Sequence, residues 1–280
     1  MKQGKKKIMQ SAVILLIVAT IIFFIGNRLL LYIDSQKKKA VPGNAVKYDI
    51  ENTAVREDSP LRGMKILFLG SSVTYGAAAQ GVSFADYLEK QDGIDAVKEA
   101  VSGTTMTDEW SLNSFLNWGD GGSYVSRLEK MDKDDNFDAV ICQLSTNDAT
   151  AGKALGEISN SKNPETFDTK TITGAIEYII SYSQETWNCP VIFYTGAYFE
   201  NDAYQKMVYR LKELQDKWQF GIIDLYDDTE FNSISQKDYE LYMYDEIHPT
   251  KAGYLKWWTP AIETYLSGYF TQSQSVRHSA

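Results

Sequence analysis

Apolar residues recur along the chain in two rhythms. Short runs rich in apolar residues stand at 65–69, 137–144, 191–195 and 221–226, with a weaker one at 96–101. Runs of that length suit strands of a parallel sheet covered on both faces. Between them, apolar positions return every three or four residues at 83–91, 123–131, 171–186, 202–218 and 250–266. Ile172, Ile176, Ile179 and Ile180 share one face of such a helix, and Met207, Leu211, Leu214 and Trp218 share another. Strands alternating with helices predict an α/β fold built on one doubly wound, five-stranded parallel sheet.

The amino-terminal region follows neither rhythm. Residues 8–26 carry no charge, and Gln10, Ser11 and Thr20 are their only polar side chains. As a helix they would span about 28 Å, close to the hydrocarbon thickness of a bilayer. A cleaved signal peptide would need a small-x-small site directly after the run, and Asn27-Arg28-Leu29 is not one. A buried soluble helix is the third option, and the run's being apolar on all faces over this length favours the membrane instead. Residues 1–33 are therefore expected to form a basic flank and an N-terminal transmembrane helix. Lys2, Lys5, Lys6 and Lys7 precede the span, while Lys37, Lys38 and Lys39 lie further beyond it than Arg28. That balance favours a cytoplasmic amino terminus and an extracytoplasmic main domain. Residues 34–62, with a lysine run and Pro42-Gly43-Asn44, read as a linker. Residues 63–270 form the predicted domain, and 271–280 a polar, disordered tail.

Charge narrows the function. The net charge is −9 over 280 residues, yet residues 1–40 hold eight Lys/Arg and only one acid, Asp34. The main body is thus strongly acidic, which argues against nucleic acid as a partner. Cys142 and Cys189 fit no metal cluster, and their offsets along neighbouring strands argue against a bridge. Asp132-Lys133-Asp134-Asp135-Asn136 opens like a calcium loop, but Phe137 replaces the needed glycine and Gln143 the closing glutamate. No metal and no cofactor are expected.

Candidate chemistry centres on residues 64–76. The run Ile66-Leu67-Phe68-Leu69 stops at Gly70 and presents Ser71 and Ser72. The carboxyl end of such a strand is where open α/β sheets place their ligands. Ser72 is the candidate nucleophile, and a hydroxyl needs a base to act near neutral pH. His278 lies in the polar tail, which leaves His248, with Asp245 three residues before it. A loop turn could bring that carboxylate to the imidazole, although a surface histidine beside the helix-starting Pro249 would look the same. The α/β-hydrolase elbow G-x-S-x-G is not present, since Gly70-Ser71-Ser72-Val73-Thr74 lacks its second glycine.

Four blocks in order resemble the SGNH hydrolases, the GDSL-type esterases and lipases. They are Phe68-Leu69-Gly70-Ser71-Ser72-Val73-Thr74-Tyr75-Gly76, Ala100-Val101-Ser102-Gly103-Thr104-Thr105, Gln143-Leu144-Ser145-Thr146-Asn147-Asp148 and Asp245-Glu246-Ile247-His248-Pro249. The resemblance implies a flavodoxin-like SGNH fold and a Ser72–His248–Asp245 triad. It also implies an oxyanion hole of the Ser72 and Gly103 N–H groups and the Asn147 amide. Ser71 stands where the family usually has Asp or Asn, and Ser145 where it usually has Gly. Trp110, Phe115, Trp118, Tyr124, Tyr198 and Phe199 lie near the expected strand ends, either as core cover or as lining for a sugar or acyl group. The expected function is a membrane-anchored serine esterase, a carbohydrate deacetylase removing O-acetyl groups from cell-wall or surface polysaccharide. An O-acyltransferase with the same triad is the alternative, and a non-catalytic glycan-binding module a third.

Overall fold

The computed structural model describes residues 2–108 and 122–278. Two compact units make up the chain, Met1–Val41 and Pro42–Ala280. The first is a single helix, α1 Lys2–Ala40. Leu15, Ile17, Val18, Ile22 and Phe23 are all exposed on it. At about 100° per residue these positions point round the whole helix rather than along one stripe. Among the described residues no helix is long and apolar enough to cross a membrane, so the expected span finds no support there. Many side chains of residues 8–26 lie outside the described ones.

The second unit runs β1 Lys65–Gly70, α2 Ser72–Tyr75, α3 Phe84–Asp92, β2 Asp95–Ala100, α4 Tyr124–Leu128, β3 Ala139–Gln143, α5 Thr146–Thr150, α6 Ile172–Trp187, β4 Val191–Tyr194, α7 Asp202–Trp218, β5 Gly221–Ile223 and α8 Gln236–Tyr242. It closes with α9 Lys251–Gly253, a π-helical turn Tyr254–Trp258 and α10 Thr259–His278. The five strands are all parallel, in the order β2-β1-β3-β4-β5. This is the flavodoxin-like order, with its switch point between β1 and β3.

Strand alternation explains why both faces are covered. Ile66 and Phe68 of β1, Ala139 and Ile141 of β3, and Ile192 and Tyr194 of β4 join one core with α3 and α10. Leu67, Leu69, Val140, Cys142, Val191 and Phe193 join the other, with α4, α6 and α7. In-register pairs such as Phe68 with Ile141 keep each set on its own face. Both cysteines are free and buried, as their strand offsets predict. The acidic stretch after Met131 forms a turn, in which Asp132 Oδ1 accepts from Asp134 N and Asp135 pairs with Lys65.

Three expectations are corrected. Residues 42–62 are no tether. Asn44 is buried, donates to Ala78 O at 2.7 Å and accepts from Lys251 N at 2.8 Å. Arg56 bonds Asp92 and Glu263, both at 2.9 Å, and Leu61 is fully buried. These partners lie 30 or more residues away, so no local pattern betrays them. The tail is helical as far as His278, because no Gly or Pro follows Gly268 to stop α10. The strand predicted at 221–226 ends at Ile223, where the chain turns and Tyr226 N bonds the Thr195 hydroxyl at 2.9 Å.

Candidate active site

The site assembles at the carboxyl ends of β1 and β3. After Gly70 the backbone reverses into the one-turn helix α2, whose first residue is Ser72. A Cβ on Gly70 would lie 1.7 Å from Thr74 Oγ1 and 2.9 Å from Gln143 Oε1, so only glycine fits. Gly76 ends the turn at φ +85°.

The partner of Ser72 arrives from the loop before α9. Met243 and Pro249 form an antiparallel bridge, and Tyr244 N donates to His248 O at 2.9 Å. Inside this pinched loop, Asp245 Oδ1 accepts from Ile247 N at 2.9 Å and His248 N at 2.8 Å. Such short-range capping is what an aspartate does well in a turn. The same carboxylate faces His248 Nδ1, with both oxygens at 2.9 Å. His248 Nε2 in turn lies 2.8 Å from Ser72 Oγ, across 176 residues of sequence. Burial pushes the Asp245 carboxyl up, but its bonds to the His248 ring and to two backbone N–H groups outweigh this and hold it below the usual 3.8. An ionised Asp245 keeps a proton on Nδ1, which leaves Nε2 free to accept from the hydroxyl.

The second and third blocks meet beside this chain of bonds. Gly103 adopts φ +78°, the left-handed region that glycine enters freely. Asn147 Nδ2 donates to Thr104 O at 2.8 Å, which ties the amide to the residue after Gly103. Ser145 caps α5, accepting from Asp148 N at 3.3 Å. Asp148 is buried and accepts from Met106 N at 2.7 Å and Thr107 N at 3.2 Å, so the third block also clamps the residues that directly follow the second. Burial raises its pKa, although these bonds pull the other way.

Sequence reasoning missed three bracing residues. Gln143 Oε1 accepts from Ser71 N and Thr74 Oγ1, both at 2.9 Å. Arg127, buried, donates to Gly70 O and Glu99 O at 2.8 Å and to Thr104 Oγ1 at 3.2 Å. Asp148 is the third. Each is a polar side chain within a buried stretch, and such groups are almost always bonded. That signal marks them as engaged but cannot name their partners.

Of the aromatic residues expected here, Tyr124 is buried in the core, Tyr198 is exposed and Phe199 is buried. Trp110, Phe115 and Trp118 lie outside the described residues. Phe199 lines a cavity of ≈ 10 Å³ with Val73, Gln143, Thr146, Tyr194, Ala197 and Ile247. Three of those walls are sequence neighbours of Ser72, Asn147 and His248. The volume is about that of one water-sized group.

Known proteins point the same way. The GDSL-like Lipase/Acylhydrolase family matches residues 68–256. Among solved structures, a protein from Lactobacillus plantarum aligns with TM-score 0.57 and 17% identity, over 75% of this chain and 98% of its own. A protein from Bacteroides ovatus named as a GDSL-like lipase aligns with TM-score 0.54 and 16% identity, over 73% and 98%. One so named from Bacteroides uniformis gives 0.52 and 14%, over 75% and 96%. No curated protein matches the chain in sequence. Because the family match spans the first strand through the residues beyond His248, the chain belongs to the GDSL-like lipases and acylhydrolases and is an ester hydrolase of the SGNH type.

Proposed function

We propose that this protein is a serine esterase that removes acetyl groups from carboxylic esters, with Ser72 as nucleophile, His248 as base and Asp245 as the orienting acid. The hydrogen-bonded sequence Ser72 Oγ–His248 Nε2, 2.8 Å, and His248 Nδ1–Asp245, 2.9 Å, carries the reading. Ser72 Oγ attacks the ester carbonyl while Nε2 takes its proton. The tetrahedral oxyanion is met by the N–H groups of Ser72 and Gly103 and the Asn147 amide. Collapse expels the alcohol, which leaves with the proton from Nε2. Water, deprotonated by His248, then releases the acid and restores Ser72. Losing one oxyanion donor typically costs about 3–4 kcal/mol of transition-state stabilisation.

In this reading the acyl methyl sits in the cavity of ≈ 10 Å³ lined by Val73, Thr146 and Ile247, the sequence neighbours of Ser72, Asn147 and His248, whose size suits acetyl. The substrate in this reading is an acetylated cell-wall or surface glycan. The membrane anchor belongs to the same proposal: the exposed apolar positions of α1 cover all its sides, and a bilayer would bury them. The amino terminus is then cytoplasmic and the catalytic unit extracytoplasmic.

The test uses the whole chain with a fluorophosphonate probe and with acetylated oligosaccharide, the latter with and without added glycan acceptor. The reading expects labelling that Ser72→Ala abolishes, and release of acetate. Labelling that survives Ser72→Ala sinks the nucleophile assignment. Transfer to acceptor outpacing hydrolysis makes the protein an acyltransferase.

A further inference from the structure

The turn that presents Ser72 lacks its own cap. A helix start leaves backbone N–H groups unpaired, and the N-cap side chain ordinarily accepts from one of them. Ser71 occupies the N-cap of α2 and makes no such bond. It is fully buried, so water does not replace the missing acceptor. A four-residue helix such as Ser72–Tyr75 cannot hold itself together, because nucleation costs more than one turn of bonds returns.

We propose that Gln143 is the positioning residue of the nucleophile, a cap supplied from β3 in place of the one Ser71 does not make. The proposal rests on the reading of Ser72 as nucleophile. Four donors converge on one atom, Gln143 Oε1: Ser71 N at 2.9 Å, Thr74 Oγ1 at 2.9 Å, Thr74 N at 3.3 Å and Ser71 Oγ at 3.4 Å. Backbone N–H groups only donate, so the atom they meet is the amide oxygen rather than its nitrogen. The N-cap residue and the third residue of the helix are thereby pinned to the strand that also leads into Asn147. Tyr194 OH, 2.6 Å from Thr74 Oγ1, donates to that hydroxyl and completes the line Tyr194–Thr74–Gln143. Burial raises the Tyr194 pKa, which keeps its proton available for this bond. The glycine at position 70 belongs to the same device, because any side chain there would push the Gln143 oxygen aside.

The arrangement also accounts for Ser71. A serine is short enough to leave the Gln143 oxygen in reach of the turn. An aspartate at this position could cap the turn itself, but it would place a negative charge against that oxygen. Acceptor from residue 71 or acceptor from residue 143 are alternative solutions to one unmet need.

The experiment compares wild type, Gln143→Leu, Gln143→Asn, Gln143→Glu and the double variant Ser71→Asp/Gln143→Leu, all as whole chain. Steady-state hydrolysis of p-nitrophenyl acetate, the fluorophosphonate labelling rate and circular dichroism are read together. Leucine removes the acceptor, and asparagine withdraws it by about 1.5 Å, one C–C bond. Each is expected to lower kcat and the labelling rate about 100-fold, the scale of a 1 Å misplacement, with KM within about threefold. Gln143→Glu restores an acceptor and is expected within about tenfold of wild type. Ser71→Asp is expected to recover at least about tenfold in the Gln143→Leu background by capping from within. Either Leu or Asn within threefold of the wild-type kcat overturns the proposal, and so does a loss that neither Glu nor Ser71→Asp relieves. A wild type that the probe does not label overturns the nucleophile reading itself, and the positioning claim falls with it.

Discussion

Replacing Asp245 by asparagine removes one charge and almost no volume, and the geometry of its loop fixes the consequence for the imidazole. Asp245 Oδ1 holds two backbone N–H groups, at 2.9 and 2.8 Å. Asparagine can keep both only by putting its single oxygen there. Its NH2 group then takes the place of Oδ2, 2.9 Å from His248 Nδ1, and donates into the ring. Nδ1 must accept, the imidazole proton moves to Nε2, and Nε2 can no longer take the proton of Ser72. Loss of rate in triads locked in the wrong tautomer is about 10⁴-fold. At 1.36 kcal/mol per decade that is about 5.4 kcal/mol of transition-state stabilisation. The effect on stability is expected to stay within about 1 kcal/mol, because the carboxylate is 47% exposed and screened. The assay is kcat/KM on p-nitrophenyl acetate, with a denaturant melt as control. A value within tenfold of wild type, in a folded Asp245→Asn protein, refutes the orienting role.

The same residue gives a pH dependence. Its folded carboxyl titrates below the unfolded 3.8, so it stabilises the fold above that pH, and the contribution is lost as pH falls through the lower folded value. The stability gap between wild type and Asp245→Asn should therefore narrow on acidification in urea melts below about pH 4. Phe199→Ala opens the small cavity and should raise the butyryl-to-acetyl ratio of kcat/KM by about 15-fold, or about 1.6 kcal/mol for two methylenes, at a stability cost of about 3 kcal/mol. An unchanged ratio places the acyl group elsewhere. Arg56→Ala leaves the buried Asp92 carboxylate without its cation and should cost about 3 kcal/mol in a denaturant melt. A chain starting at residue 42 should then keep its activity, while one starting at residue 63 loses it with its fold. Arg127→Met removes the charged donor to the Gly70 and Glu99 carbonyl oxygens, leaving Gly70 O only its bond from Val101 N, and should cost about 2–4 kcal/mol, with a fall in kcat through the turn that carries Ser72.

What the amino-acid order determined by itself is the part of the protein governed by short-range physics. The period of apolar residues decides strand or helix locally, so the strand–helix alternation and the ends of α7 could be read directly. A parallel sheet with both faces covered follows from runs such as Ile66–Leu69 that have no polar side. Asp245 and His248 are three residues apart, and their pairing is a property of one loop. The order of four short blocks was enough to point to the family.

Tertiary structure alone decided which distant groups share a bond. Nothing within ten residues of Arg56 announces Asp92 and Glu263, so residues 42–62 look like a tether until the fold brings those carboxylates together. Gln143 reads as a polar residue ending a buried strand, and only the β1–β3 register puts its oxygen under Ser71 and Thr74. A period can be measured along a chain because it repeats every few residues. A hydrogen bond between residues 71 and 143 exists only after strand pairing has set their distance, and there the function of a buried polar side chain is decided.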